Sequence, residues 1–440
     1  MSKRQKGMVS LLVTSMLLIA VLLISMTSYK NSFYQIKRAQ NEVLARQAHW
    51  LAEGGVECAF SELQLTGVSP IEPLFTNDCQ DMDSQLTINF YEQGTSGKQF
   101  KVSSYVDTAH AVTSVSKSVN YSGGMTSTIK MNASILELTG SHHFVPNHNG
   151  GQCQSIMMSG IVTYVSSSGS DEHFLTADST TATHASTSPS FTCHPTYRSN
   201  LFDLSNPPTY LAAMTAPVKG EDIKEAQSIN VFADLYGKSY LVPSEVDSVR
   251  TSFAMDTNGD VIGPKVVNGK GGDEITAHGW VKGCSELIEN AVTAGKTRIW
   301  VDGSCAIGGS VFGTGITSDS SSAIELIIFN GFLEMNAVGY FNGLVYVYSS
   351  ETLDAQMVWE DRVDNIAVPT RAFNKSDITA SYLNVNFFVY DSLYLDGGIG
   401  IDAPGRTVKI NGSIVPSYNS DKANKNLSKV DWVEGSWNDL

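Results

Sequence analysis

The run Met8-Val-Ser-Leu-Leu-Val-Thr-Ser-Met-Leu-Leu-Ile-Ala-Val-Leu-Leu-Ile-Ser-Met-Thr-Ser28 contains no ionisable side chain. Its roughly 20 residues, at about 1.5 Å each, match a hydrocarbon layer about 30 Å thick. Lys3, Arg4 and Lys6 precede it and belong on the cytoplasmic side by the positive-inside rule. A secretory signal has a shorter apolar core followed by a small-residue cleavage site, and no such site follows Ser28. Helical spacing continues instead: Ile36, Val43/Leu44 and Leu51/Ala52 recur as one apolar stripe on a polar helix. One helix over 8–64 is expected, transmembrane over 8–28. Gly54-Gly55 should loosen it near its end, since each Gly costs about 1 kcal/mol relative to Ala.

The remainder is globular in composition. The chain has 440 residues, 42% of them hydrophobic and 17% charged, with 44 Asp and Glu against 29 Lys and Arg for a net charge of −15. Those values exclude wholesale disorder and argue against a protein that coats nucleic acid, which is normally basic. No direct nucleic-acid binding is expected. The six cysteines, Cys58, Cys79, Cys153, Cys193, Cys284 and Cys305, read as a disulfide framework beyond a membrane anchor. Of the fifteen possible pairings the sequential one is expected: 58–79, 153–193 and 284–305.

Period-two runs at 85–91, 99–106 and 128–135 predict strands, and over 65–205 an antiparallel, β-rich head. The Ser/Thr-rich stretch 166–190 reads as a surface loop clipped by the second disulfide, and Asn206-Pro207-Pro208 as a boundary. Helices are expected over 221–235 and 285–294, the second capped by Gly295, within a mixed α/β connection spanning 206–296. From 297 to 440 short β-branched and aromatic runs end in Asp-Gly or Asn-Gly corners. They suit a solenoid-like stack or a set of hairpins, although Gly303, Gly331, Gly343, Gly397 and Gly412 keep no clean period. The fold class expected is α+β: a long N-terminal transmembrane and stalk helix, a β-rich head and a C-terminal β-solenoid-like region.

The basic leader ending in Gly7, the uninterrupted apolar helix and its amphipathic continuation resemble the class III leader of type IV pilins and type II secretion pseudopilins. The resemblance implies a leader of residues 1–7, cut by a prepilin peptidase between Gly7 and Met8, with methylation of the new amine. It also implies that other pilins pack against the helix as partners. Leu51-Ala-Glu-Gly-Gly-Val-Glu57 is similar to a segment of PilX-type minor pilins. Ile299-Trp-Val-Asp-Gly-Ser304, Ile324-Glu-Leu-Ile-Ile-Phe-Asn-Gly331, Phe341-Asn-Gly-Leu-Val-Tyr-Val347 and the ending Val433-Glu-Gly-Ser-Trp-Asn-Asp-Leu440 are similar to the C-terminal region of large PilX-type proteins. One departure stands out. Most pilins carry Glu at the fifth mature position, and here that residue is Leu12. A carboxylate in hydrocarbon is costly unless paired, so Leu12 removes both a cost and a recruiting contact, a trait typical of GspK-type tip pseudopilins. A minor pilin-like subunit that primes or caps a pilus, in support of adhesion or DNA uptake, is the function implied, with an inner-membrane anchor and a periplasmic head. A GspK-type pseudopilin of type II secretion and a membrane-anchored carbohydrate-binding protein or adhesin are the alternatives.

Signals for chemistry are sparse, and neither enzyme activity nor a cofactor is expected. Asp256, Asn258 and Asp260 stand at calcium-loop positions 1, 3 and 5. Val261 and Val267 replace the invariant Gly and the bidentate Glu, so a hairpin turn is the favoured reading. His142, His143 and His148 read as a solvated loop. Gly269-Lys-Gly-Gly272 lacks the Lys and Ser or Thr that would complete a phosphate loop and reads as a flexible connection. Tyr340, Phe341, Tyr346 and Tyr348 read as sheet core. The acidic pairs Asp273-Glu274 and Glu360-Asp361 read as exposed turns, with no glycosidase chemistry inferred from them.

Overall fold

The computed structural model describes residues 3–66, 79, 83–93, 99–108, 111–121, 124–165, 172–178, 191–205, 207, 211, 216–308, 323–336, 339–366, 384–425, 427, 430–433, 435–436 and 438–439. It is α+β: one long apolar N-terminal helix followed by a strand-rich region. The chain divides into two compact units, one of Met1–Glu62, Asn77–Val119 and Trp432–Leu440, the other of Leu63–Thr76 and Asn120–Asp431. In chain order, the second unit is therefore a short and a long stretch inserted within the first. The boundaries expected at 205 and 296 are not those of the units, because strands from both sides of these positions pair with each other.

The first unit combines helix α1 (Lys3–Thr66) up to Glu62 with a sheet in the order β1 (Leu86–Glu92), β2 (Gln99–Asp107), β3 (Val112–Tyr121) and the strand Val430–Trp432, with Asn438–Asp439 also on β3. Strands β1 and β2 pair antiparallel from Leu86↔Val106 to Glu92↔Phe100. Their alternate residues Leu86, Ile88, Phe100, Val102 and Val106 are buried, as a one-sided sheet requires. The antiparallel expectation holds here and in two short pairs, Asn147–Asn149 with Gln152–Gln154 and His173–Thr176 with Asn200–Phe202, but not for the longer strand 129–139.

In the second unit parallel pairing dominates. Strands Gly259–Ile262, Arg298–Asp302, Ile324–Phe329, Gly339–Tyr348, Leu393–Asn411, Ile129–Thr139, Ile156–Met158 and Ile223–Lys224 lie side by side in that spatial order. The strand expected at 128–135 thus joins this parallel ladder, not an antiparallel head. A second ladder runs from Cys305–Gly308 through Leu333–Asn336 and Val385–Tyr390 to the later parts of 393–411 and 129–139 and then Ile161–Tyr164. A third joins 339–342, 393–397, Ile414–Tyr418, His142–Phe144 and His173–Thr176. Apolar side chains of these ladders, among them Met131, Leu138, Phe144, Ile328, Leu333, Phe387 and Ile401, form one core.

Glycine corners keep the ladders in register. Gly343 pairs with Gly397, and a Cβ on Gly397 would lie 1.8 Å from the Gly343 carbonyl oxygen. Both residues have positive φ, +129° and +156°, which a side chain rarely adopts. Their uneven spacing in sequence follows from insertions of different length between neighbouring strands; one of them carries the helix Ala355–Asn365.

Helices cover the ladders. Helices α2 (Val231–Tyr236) and α3 (Pro243–Met255) pack Val231, Phe232, Leu235, Val249 and Phe253 with Trp300, Ile327, Phe329, Leu344 and Tyr346 of the first ladder. Every residue of Ile324–Phe329 is therefore buried, as expected of a parallel strand covered on both faces. Helix α4 (Cys284–Thr293) contributes Ile288 and Ala291 to the core beside Ile262 and Ile299. Gly295 follows it at φ +81°, and the Gly295 and Lys296 N–H groups donate to the Val292 and Ala291 carbonyls, so the expected cap is present. Helix α5 (Ala355–Asn365) lies on Phe332, Val385 and Phe388 through Val358 and Trp359. The helix expected over 221–235 is confined to α2. Ile223 instead pairs with Ile156, and the helix begins where Asn230 accepts from Ala233 N–H and Asp402 accepts from Val231 and Phe232 N–H.

Candidate functional site

Helix α1 changes character along its length. From Val9 to Met26 its large apolar side chains are all exposed, Leu12 at 54%, and it is the one described helix long and apolar enough to span a membrane. Gly7 and Met8 belong to the helix backbone, and their side chains lie outside the described residues. Ile36 and Val43 of the expected stripe are also exposed. Then burial begins: Ala48, Ala52, Val56 and Ala59 occupy one face at steps of three and four residues.

Gly54-Gly55 does not loosen the helix, which continues to Thr66. Gly55 serves as a contact point, because an added Cβ would lie 2.5 Å from Ser104 Oγ and 2.9 Å from Leu86 Cδ1. Phe60 stacks on Trp432 with ring centroids 4.1 Å apart, and the Lys117 ammonium sits 3.8 Å above the same indole. Ser436 Oγ accepts from Ser118 N–H. The tail is therefore tied to both the helix and β3, where the sequence reading had placed it with the solenoid-like region. An aromatic pair so far apart in sequence leaves no local signal.

The disulfides pair as expected: Cys58–Cys79, Cys153–Cys193 and Cys284–Cys305. The last ties α4 to the second ladder. The loop expected over 166–190 falls largely outside the described residues but contains the strand His173–Thr176. Asn206 and Pro208 of the expected boundary lie outside the described residues too.

Asp256, Asn258 and Asp260 form no hairpin. They connect the end of α3 to a parallel strand. The Asp256 carboxylate accepts from Asn258 N–H and pairs with Arg298 at 3.1 Å, and both contacts hold its pKa below the ordinary value, the Asn258 bond most. Asp260 Oδ1 accepts from Val261 N–H. The two carboxylates thus turn to separate partners instead of one centre.

His142 is not on a solvated loop. It alternates with Phe144 on a strand whose inward positions are buried. Burial lowers its pKa to about 3, with His173 and His143 acting in the same direction against the Thr139 backbone. Half-buried His143 and buried His173 bring their Nε2 atoms to 2.9 Å, whereas His148 stacks on Phe191. Among the described residues, no three His, Cys, Asp or Glu side chains are arranged to hold a metal ion.

Of the aromatic run, Phe341 and Tyr346 are core residues and Tyr340 stacks on Tyr394 at 5.2 Å. Asp361 is buried, not in an exposed turn, and accepts from Thr276 Oγ1 and His278 N–H. Its neighbour Arg362 makes a bidentate pair with buried Glu334. Burial raises the Glu334 pKa while Arg362 opposes the shift. Asp402, fully buried, accepts from the first N–H groups of α2 and from Tyr346 Oη. Burial nevertheless pushes its pKa up to about 6. These groups join layers together. The feature available to other molecules is the exposed apolar half of α1. No known protein family, curated protein or solved structure matches this chain.

Proposed function

We propose that this chain is a minor pilin-like structural subunit that primes or caps a type IV pilus. The supporting observation is the division of α1: an exposed apolar span continuous with a face that packs on a small antiparallel sheet. A membrane holds the first part, and neighbouring pilin helices replace lipid around it on assembly. Removing apolar side chains from water contributes about 25 cal/mol per Å², but between lipid and protein that gain vanishes and close packing decides. Lacking a carboxylate at position 12, the helix requires no amine partner in the apolar layer. This favours a priming or tip position, and equally a GspK-type pseudopilin as the second reading. The parallel ladders suit a β-solenoid carried as the presented head.

Processing is the direct test. A prepilin peptidase cutting after Gly7 leaves a methylated Met8, which intact-mass measurement of the membrane-extracted protein detects. A chain that keeps Met1, or begins near residue 30, overturns the reading. Replacing Gly7 by Val is expected to leave the slower-migrating precursor in the membrane.

A further inference from the structure

The outermost strands of a parallel ladder carry main-chain groups that no neighbouring strand accepts, and such edges invite pairing with another chain. At one end stands Gly259–Ile262, which among the described strands pairs only with Arg298–Asp302. Groups on this edge and at the corner that follows it are held by side chains and by the glycine loop. Lys270 Nζ donates to the Gly259 carbonyl at 2.6 Å, and Asp273 Oδ2 accepts from Gly263 N–H at 2.8 Å. The Gly263 carbonyl accepts from Gly272 and Asp273 N–H. Gly269-Lys-Gly-Gly272 is thus a shaped cap: Gly271 has φ +85°, and a Cβ there would lie 2.3 Å from the Lys265 carbonyl oxygen.

An edge of the second ladder repeats the device with unrelated residues. On the last strand of the second ladder, Glu225 Oε1 accepts from Val162 N–H at 2.5 Å and Lys219 Nζ lies 3.4 Å from the Val162 carbonyl oxygen. Lys219 and Glu225 also pair with each other at 2.7 Å. At each edge an acid covers a donor and a lysine covers an acceptor.

We propose that these two acid–lysine sets seal an edge strand of the first ladder and an edge strand of the second against strand addition by a second copy of this chain, so that the inserted unit does not grow end to end. The inference does not depend on the pilin reading. A sealed edge works by denying an arriving strand its hydrogen bonds, and by forcing it to strip a charge of water before pairing.

The test uses the full chain in detergent. The doubles Lys270→Ala/Asp273→Ala and Lys219→Ala/Glu225→Ala are compared with wild type by light scattering over a concentration series. Association through α1 is common to all three, so only the increment counts. Each double is expected to add a dimer whose fraction rises with concentration, and the combined quadruple to add longer species. Unchanged size distributions in folded doubles overturn the proposal. Amide exchange on wild type supplies a reading that no variant's misfolding can cloud. The Val162 and Gly263 amides are expected to exchange at least about tenfold more slowly than the amide of exposed-loop Gly269. Exchange at the loop rate would overturn the seal.

Discussion

The two units solve the same burial problem by different means. In the first, a helix supplies Ala52, Val56 and Ala59 to a sheet whose strands β1 and β2 are neighbours in sequence. In the second, strands brought together from distant parts of the chain, 129–139 against 399–411, enclose a core that no single segment contains. The first arrangement is local in its helix and in β1 and β2, with only the tail strands brought in from afar, and tolerates change at its edges. The second depends on glycine corners and buried ion pairs that hold distant segments in register. Damage to the ladder should therefore be severe and general, and damage to the helix–sheet unit smaller and confined.

The harshest way to separate them is Gly397→Val. With the Gly343 carbonyl oxygen 1.8 Å from the new Cβ, the variant is expected to lose more than about 4 kcal/mol and the near-UV signal of the ladder. The Cys58–Cys79 bond should still form, as free-thiol counting would show; its loss would mean that the units do not fold separately. Next is Arg362→Ala, which strands Glu334 without its partner and should cost about 3–5 kcal/mol in a urea melt. The double Glu334→Leu/Arg362→Leu is expected to recover most of that.

Acid sharpens the contrast, because two buried groups of the ladder oppose each other. His142 is neutral when folded but protonates near 6.5 when unfolded. Its stabilising contribution is therefore present above pH 6.5 and falls by about 1.4 kcal/mol per unit as the pH drops toward 3. Asp402 is shifted up to about 6, so its contribution is full below about 3.8 and disappears as the pH rises through 6. His142→Leu should flatten the acid loss below pH 6.5, and Asp402→Asn should steepen it between pH 6 and 4. Thermal melts across that range decide, and parallel curves for all three proteins would contradict both assignments. The smallest effect belongs to the first unit. Gly55→Ser places a side chain against Ser104 and Leu86 and should cost about 1–3 kcal/mol, without altering the near-UV signal of the ladder.

Sequence patterns reached the first unit better than the second, for a physical reason. An uncharged run and a three-to-four spacing are local, so α1 was legible, as was Cys58–Cys79; in the second unit the legible features were equally local, the Gly295 cap and two disulfides between cysteines adjacent in order. Parallel pairing has no local signature. The run Ile129–Thr139 looks the same whether its neighbour is the next strand or residue 399. Turn chemistry was equally ambiguous: Asp256-Thr-Asn-Gly-Asp260 makes a tight corner, but the corner joins a helix to a parallel strand. His142 did carry a readable clue, its period-two relation to Phe144, which polarity overrode. The acid–lysine seals were invisible because Lys219, Glu225, Lys270 and Asp273 gain their meaning only from the edges they meet.

The pairing of 129–139 with 399–411 also sets a schedule. A ribosome adding about 5–20 residues per second releases the earlier strand some ten to fifty seconds before its partner exists. During that interval its free edge is covered by neither the later strand nor any helix that depends on it. The nascent chain must wait in a partly open state, shielded by whatever machinery accompanies its synthesis, and this ladder closes only when nearly the whole polypeptide has been made.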